Sequence, residues 1–177
     1  MPLMDTKETN KTMIEQAAED LFNYAIERED VKLLMGHLSR GAQVSPASLE
    51  YELQLLKIIS VGWSIAYHLG GTPEHKAALG EFFWGAVQEF SRQLSTTTGM
   101  MTGREIDYFQ VLKERLDHYL TAMQGNSEGS EPAAVIGAAF AGLCGGRDDI
   151  YATMAGSKMF ANAVAHTRRY FEALKLC

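Results

Sequence analysis

Five histidines and two cysteines are the residues of this chain best suited to hold a metal or move a proton. A carboxylate-bridged di-metal bundle needs Glu-x-x-His on two helices, so that a carboxylate and an imidazole project from one face. Three residues before His37, His68, His75, His118 and His166 stand Leu34, Ile65, Thr72, Arg115 and Ala163, so that motif is missing. His-x-x-x-His and Cys-x-x-Cys are missing too, which leaves no local zinc signature. A metal would have to be assembled from distant residues such as His68, His75 and Glu81. The plainer expectation is that His68 and His75 flank the Gly70-Gly71 turn and bond to helix ends. No metal and no other cofactor is expected.

Glu114 and His118 lie four apart, with Asp117 adjacent, the spacing of an acid–base pair on one helix face. The same spacing is common in surface helix pairs, which contribute a few tenths of a kcal/mol, and that reading is preferred. Cys144 sits among small apolar neighbours without an adjacent base, which describes a buried, inert thiol better than a nucleophile. No catalytic residues are assigned.

The stretch GAAFAGLCGG at 137–146 invites comparison with a phosphate-binding loop. Such a loop follows a strand and presents free amides to the phosphate. No strand precedes this one, and neither G-x-G-x-x-G nor G-x-x-x-x-G-K occurs in it. Close packing explains it better. Gly137, Ala141 and Gly145 recur every four residues and form a smooth ridge along one helix side, where backbone can approach backbone. Gly62, Ala66 and Gly70 form a similar ridge, and the two could face each other within the subunit or across a dimer axis. Each helical glycine costs about 1 kcal/mol relative to alanine, so close contact must recover that loss.

Residues 30–57 imitate a helix-turn-helix, but the first turns of the second helix carry Glu50 and Glu52, which phosphates would repel. Trp84 lies off the aromatic stripe of its helix, which makes it either a second buried side or an exposed anchor for a partner.

The elements that would position these residues are helical almost throughout. Ile14, Ala17, Ala18, Leu21, Phe22, Ala25 and Ile26 keep the helical period. Val31, Leu34, Met35 and Leu38 repeat it out of phase, so a break is expected near Glu29-Asp30, with Asp30 capping a short second helix. Ser45-Pro46 opens a long helix, with Ser45 as N-cap and Pro46 in the first turn, that is apolar on two faces and therefore expected to be buried at the centre. Gly70-Gly71 stops it, and Thr72-Pro73 opens the next, with Leu79, Phe82, Phe83, Ala86, Val87, Phe90 and Leu94 in its stripe. Ser95–Gly99 reads as a loop, followed by a capping box at Thr102–Glu105. Residues 124–131 read as an internal linker, and Pro132 starts the small-residue helix. Asp148 or Asp149 caps a last helical region that is expected to bend at Gly156-Ser157. No segment alternates like a strand, and no fixed repeat occurs. The fold expected is all-α: a single-domain helical bundle over residues 1–177, of about six or seven helices with a buried central helix, and with residues 1–9 flexible.

A chain of 177 residues hides roughly 70% of its unfolded surface and needs no disulfide or metal to fold. Its net charge of −6 favours neither nucleic acid nor an anionic membrane as partner. The apolar run Ile58–Leu69 is shorter than the about 20 residues of a bilayer span, and no signal peptide is visible. Two thiols make no disulfide framework, and a cytoplasmic setting is expected.

The function expected is self-association, as a homodimer, or binding of a protein partner through Trp84 or through Gly137, Ala141 and Gly145. The alternative is a small-molecule-binding or sensor bundle whose inter-helix pocket uses Trp63, Tyr67, His68, Phe83 and Met123. A metal-assisted enzyme comes third.

Overall fold

A computed structural model describes residues 6–38, 41–126 and 129–176, with residues 6–11 and 38 described through their backbone alone. The described chain is all-α and contains no strand. Seven helices follow one another: α1 Thr6–Ile26, α2 Glu29–Leu38, α3 Pro46–His68, α4 Pro73–Thr102, α5 Tyr108–Gln124, α6 Pro132–Leu143 and α7 Ile150–Ala173. Residues 1–5 of the expected flexible N-terminus lie outside the described residues; from Thr6 onward the backbone is helical. Ser127 and Glu128 of the expected linker also lie outside them.

The two faces of α3 bury Leu49, Leu53, Leu55, Leu56, Ile58, Ile59 and Ile65, and the helix packs against all six others. The most extensive contact is α6 along α7, followed by α3 on α7 and α1 on α4. Phe83, Phe140, Met159 and Phe171 are fully enclosed in the core that results.

Local chemistry sets the helix ends. Thr72 accepts from the His75 amide at 3.3 Å, with Pro73 in the first turn of α4. Asp149 is the deeper cap. Its Oδ1 accepts from the amides of Tyr151 at 2.9 Å and Ala152 at 3.1 Å, and its Oδ2 from those of Gln43 and Val44. One buried carboxylate thus starts α7 and fastens the α2–α3 connection to it. Burial alone would raise its pKa; the four amides outweigh burial and hold it below the usual carboxylate range.

Past the end of α6, the Gly146 amide donates to the Ala141 carbonyl and the Gly145 amide to that of Gly142, a Schellman pair. Gly145 takes φ +80°, the left-handed conformation this turn requires. Lys175 takes the same role after α7 at φ +55°. The Leu176 carbonyl then accepts from the Gly70 amide at 2.8 Å, which ties the C-terminal turn to the end of α3.

Four expectations are corrected. Ser95–Gly99 is not a loop but part of α4. The Ser95, Thr96 and Thr102 hydroxyls donate to carbonyls four residues back, so these side chains are satisfied inside a helix. Thr102 therefore ends α4 instead of capping α5, which starts later, where Asp107 accepts from the Gln110 amide at 3.0 Å. Asp30 lies in the first turn of α2, not at its cap, and its carboxylate accepts from the Tyr24 hydroxyl. Helix α7 runs unbroken through Gly156-Ser157, and the glycine there makes room for the Phe140 ring of α6.

Candidate functional site

The small residues of α6 are used within the chain. A methyl group on Gly137 would collide with the Ser157 Oγ and the Thr153 carbonyl of α7, and Ala141 is fully buried. Ser157 donates to the Ala133 carbonyl across the same seam at 2.8 Å. The close approach of two helices is therefore real, but its partner is α7 and not the Gly62 ridge. Gly145 is off the ridge, since α6 ends at Leu143 and Gly145 belongs to the turn. The indole of Trp84 fills the space over Gly62, its ring 5.3 Å from that of Phe83, while Gly70 lies beyond the end of α3.

The residues proposed for a pocket are brought together only in part. Trp63 stacks on Tyr67 at 4.3 Å between ring centres and meets His68 edge-on at 5.8 Å. Tyr67 itself is 65% exposed. Phe83 is completely buried under α4. Trp63 and Met123 line a void of about 20 Å³, which has room for little more than one water molecule.

A ligand-sized pocket opens elsewhere, between α1, α3, α4 and α5, with a volume of about 400 Å³. Its wall is apolar: Ile26, Leu55, Ile58, Phe90, Leu94 and Leu112. Ala47, Tyr51 and Tyr108 line it as well, and Ser91 and Gln54 add polar groups. Arg28 and Glu50 form an ion pair in the same lining, both side chains partly exposed. Tyr108 is placed by its amide, which donates to the Ser95 Oγ at 3.1 Å, and by its hydroxyl, 3.3 Å from the Thr98 Oγ1. Burial first, then the Glu52 carboxylate, hold the Tyr51 phenol above its ordinary pKa, so it is neutral at pH 7. A depression of about 440 Å³ beside His118, Asn126 and Ala138 is shallow and open by comparison.

Two side chains of α3 close the end of α1 beside this pocket. The last carbonyls of a helix lack partners in the helix. Gln54 Nε2 donates to the Ala25 carbonyl at 2.9 Å, and Lys57 Nζ to that of Glu27 at 2.9 Å. Lys57 has no exposed side-chain surface; its ammonium also lies 3.2 Å from an Asp30 oxygen and 4.1 Å from the centre of the Tyr24 ring. The Tyr24 ring also stacks on His166 at 3.6 Å between ring centres, while its hydroxyl donates to Asp30. Burial, then the Arg169 charge, with Lys57 adding to them, hold His166 below the usual histidine range.

A further pair, Arg115 and Glu52, joins α5 to α3 through bidentate bonds of 2.7–3.2 Å. Burial, then Glu52, push the nearby Cys144 thiol up to about 12, so it carries almost no thiolate. Glu114 accepts from Gln110, and both are exposed, which places it in a surface pair. Among the described residues, no three His, Cys, Asp or Glu side chains are grouped to hold a metal, and no helix is long and apolar enough to cross a membrane.

Sequence reading missed the pocket and the roles of Gln54, Lys57 and Glu52; it gave Asp149 as one of two candidate caps but not its hold on the Gln43 and Val44 amides. The signal for two of them was present: Glu52 and Lys57 interrupt a long helix that is apolar on two faces, at positions where a charge must be paired.

Fold and site together define an all-α helical bundle with an apolar inter-helix pocket. Comparisons with known protein families, curated proteins and solved structures return no match.

Proposed function

We propose that this bundle binds a small, largely apolar molecule in the pocket between α1, α3, α4 and α5. The observation that carries the reading is a cavity of about 400 Å³ with aliphatic and aromatic walls and a few converging polar groups. Small-molecule sites have this composition and volume. The neutral fluorophore N-phenyl-1-naphthylamine should bind with one-to-one stoichiometry and gain emission. Ala47→Trp places an indole in the lining from an exposed position and should abolish that gain. Equal binding by both proteins would show that the dye sits elsewhere and would refute the reading.

Self-association, or docking of a protein partner, is the second reading. It is supported by the outer face of α6, where Ala134, Ala138 and Gly142 are exposed at four-residue spacing and nothing lies within 4 Å of a methyl built on Gly142. Sedimentation at two concentrations should show a dimer that Ala138→Arg disrupts; a monomer at both refutes self-association. The composition supports a cytoplasmic setting, and a net charge of −6 supports neither nucleic acid nor an anionic membrane as partner.

A further inference from the structure

Building on the pocket reading above, we infer that the pocket selects an uncharged amphipathic molecule: an apolar chain or ring bearing an N–H or O–H donor. The first reason is charge balance. Arg28 and Glu50, the ionic groups of the lining, are paired with each other. A carboxylate ligand would have to take Arg28 from Glu50, and an ammonium ligand would have to take Glu50 from Arg28. Either exchange leaves a protein charge unpaired beside the new one. Deeper in, Leu55, Ile58, Phe90 and Leu112 offer nothing to balance a charge, and moving an unpaired charge into such surroundings is strongly unfavourable.

The second reason is an acceptor without a donor. Gln54 lines the pocket, and its Nε2 is committed to the Ala25 carbonyl. Its Oε1 is buried and accepts from no group among the described residues. A buried acceptor left this way is destabilising, and a partner that supplies the missing donor recovers the loss. The Oε1 has no accessible surface as it stands, so a ligand donor meets it as the Gln54 side chain, which lines the pocket, turns toward the ligand. A neutral donor meets it without bringing in a charge. The pocket thus discriminates twice: by its cancelled ion pair against charge, and by Gln54 in favour of a donor.

Four probes with the same chain test this by calorimetric titration at fixed salt: N-methyldecanamide, N,N-dimethyldecanamide, decanoate and decylammonium. N-Methyldecanamide should bind about fivefold tighter than the dimethyl amide, which lacks the donor, the increment of one ordinary hydrogen bond. It should bind about tenfold or more tighter than either ion. Glu50→Gln frees Arg28 and should raise decanoate affinity about fivefold relative to N-methyldecanamide, the increment of one surface charge contact. Gln54→Leu should make the two amides equal. Two amides that bind alike to the native protein, an ion that matches the neutral probes, or no gain for decanoate in Glu50→Gln would each overturn the inference while leaving the pocket reading intact. Failure of all four probes to bind would instead overturn the pocket reading itself. Because Gln54 also caps α1, the Glu50→Gln arm, which alters a partly exposed side chain, decides the matter should Gln54→Leu not fold.

Discussion

The seam between α6 and α7 and the pocket between α1, α3, α4 and α5 are built from opposite materials. Glycine and alanine let α6 settle on α7, and the remaining volume is filled by Phe140 lying against Gly156. The pocket is walled by Leu55, Ile58, Phe90, Leu94 and Leu112, yet these larger side chains leave about 400 Å³ unfilled. Apolar content alone therefore does not decide whether two helices close. Small residues permit backbone contact and a continuous core; bulky ones hold helices apart, and the gap closes only where facing side chains interdigitate.

The largest effect expected separates the two regions with one chemistry. Phe140→Ala should lower unfolding free energy by about 4 kcal/mol, because a fully enclosed ring leaves a cavity. Phe90→Ala, which removes a half-buried ring, should cost about 2 kcal/mol and enlarge the pocket. Urea titration of both measures the difference, and equal costs would erase the distinction. Asp149→Ala should cost about 3 kcal/mol, since it removes an N-cap and leaves the Gln43 and Val44 amides short of a partner.

A smaller but sharper contrast uses glycine. Gly137→Ala should destabilise by about 2 kcal/mol, because its methyl meets the Thr153 backbone, which cannot swing aside. Gly85→Ala, on the pocket helix α4 with nothing within 4 Å, should stabilise by about 0.8 kcal/mol through helix propensity. Thermal melts of the pair should shift in opposite directions; two shifts of the same sign would contradict the packing account.

The smallest effect expected lies in pH dependence at the α1–α7 contact. His166 has a folded-state pKa below the ordinary histidine value of 6.5, so the unfolded chain takes up the proton more readily. Its contribution is complete above that value and is lost as pH falls through the lowered folded-state pKa. His166→Gln should therefore flatten the loss of stability on mild acidification; an unchanged slope would show that the stacked imidazole is not its source.

Most of the fold was legible in the residues. The stripes of α1 and α3, Pro46, Pro73 and Pro132 in first turns, and Thr72 and Asp149 as caps all act locally, within one or two turns. The misreadings share a cause. Ser95–Gly99 carries turn-like residues, but hydroxyls bonded back into a helix are invisible to composition. Gly156 looked like a hinge because its partner, Phe140, is distant in sequence. Trp84 looked unplaced because the notch that receives it, Gly62, is on another helix. The pocket was illegible for the same reason. Its wall draws on four helices, and none of their stripes reveals where packing will fall short.

That this chain is helical, where most helices begin, and that small residues near position 140 serve a close contact are written along the chain, because periodicity, caps and side-chain size are properties of neighbouring residues. That α7 is the partner of that contact, that Gln54 and Lys57 complete the end of α1, and that a cavity remains beside them emerge from the packed fold. Those outcomes depend on how rigid rods of fixed shape fill space together, and volume left between distant surfaces is encoded in no single segment.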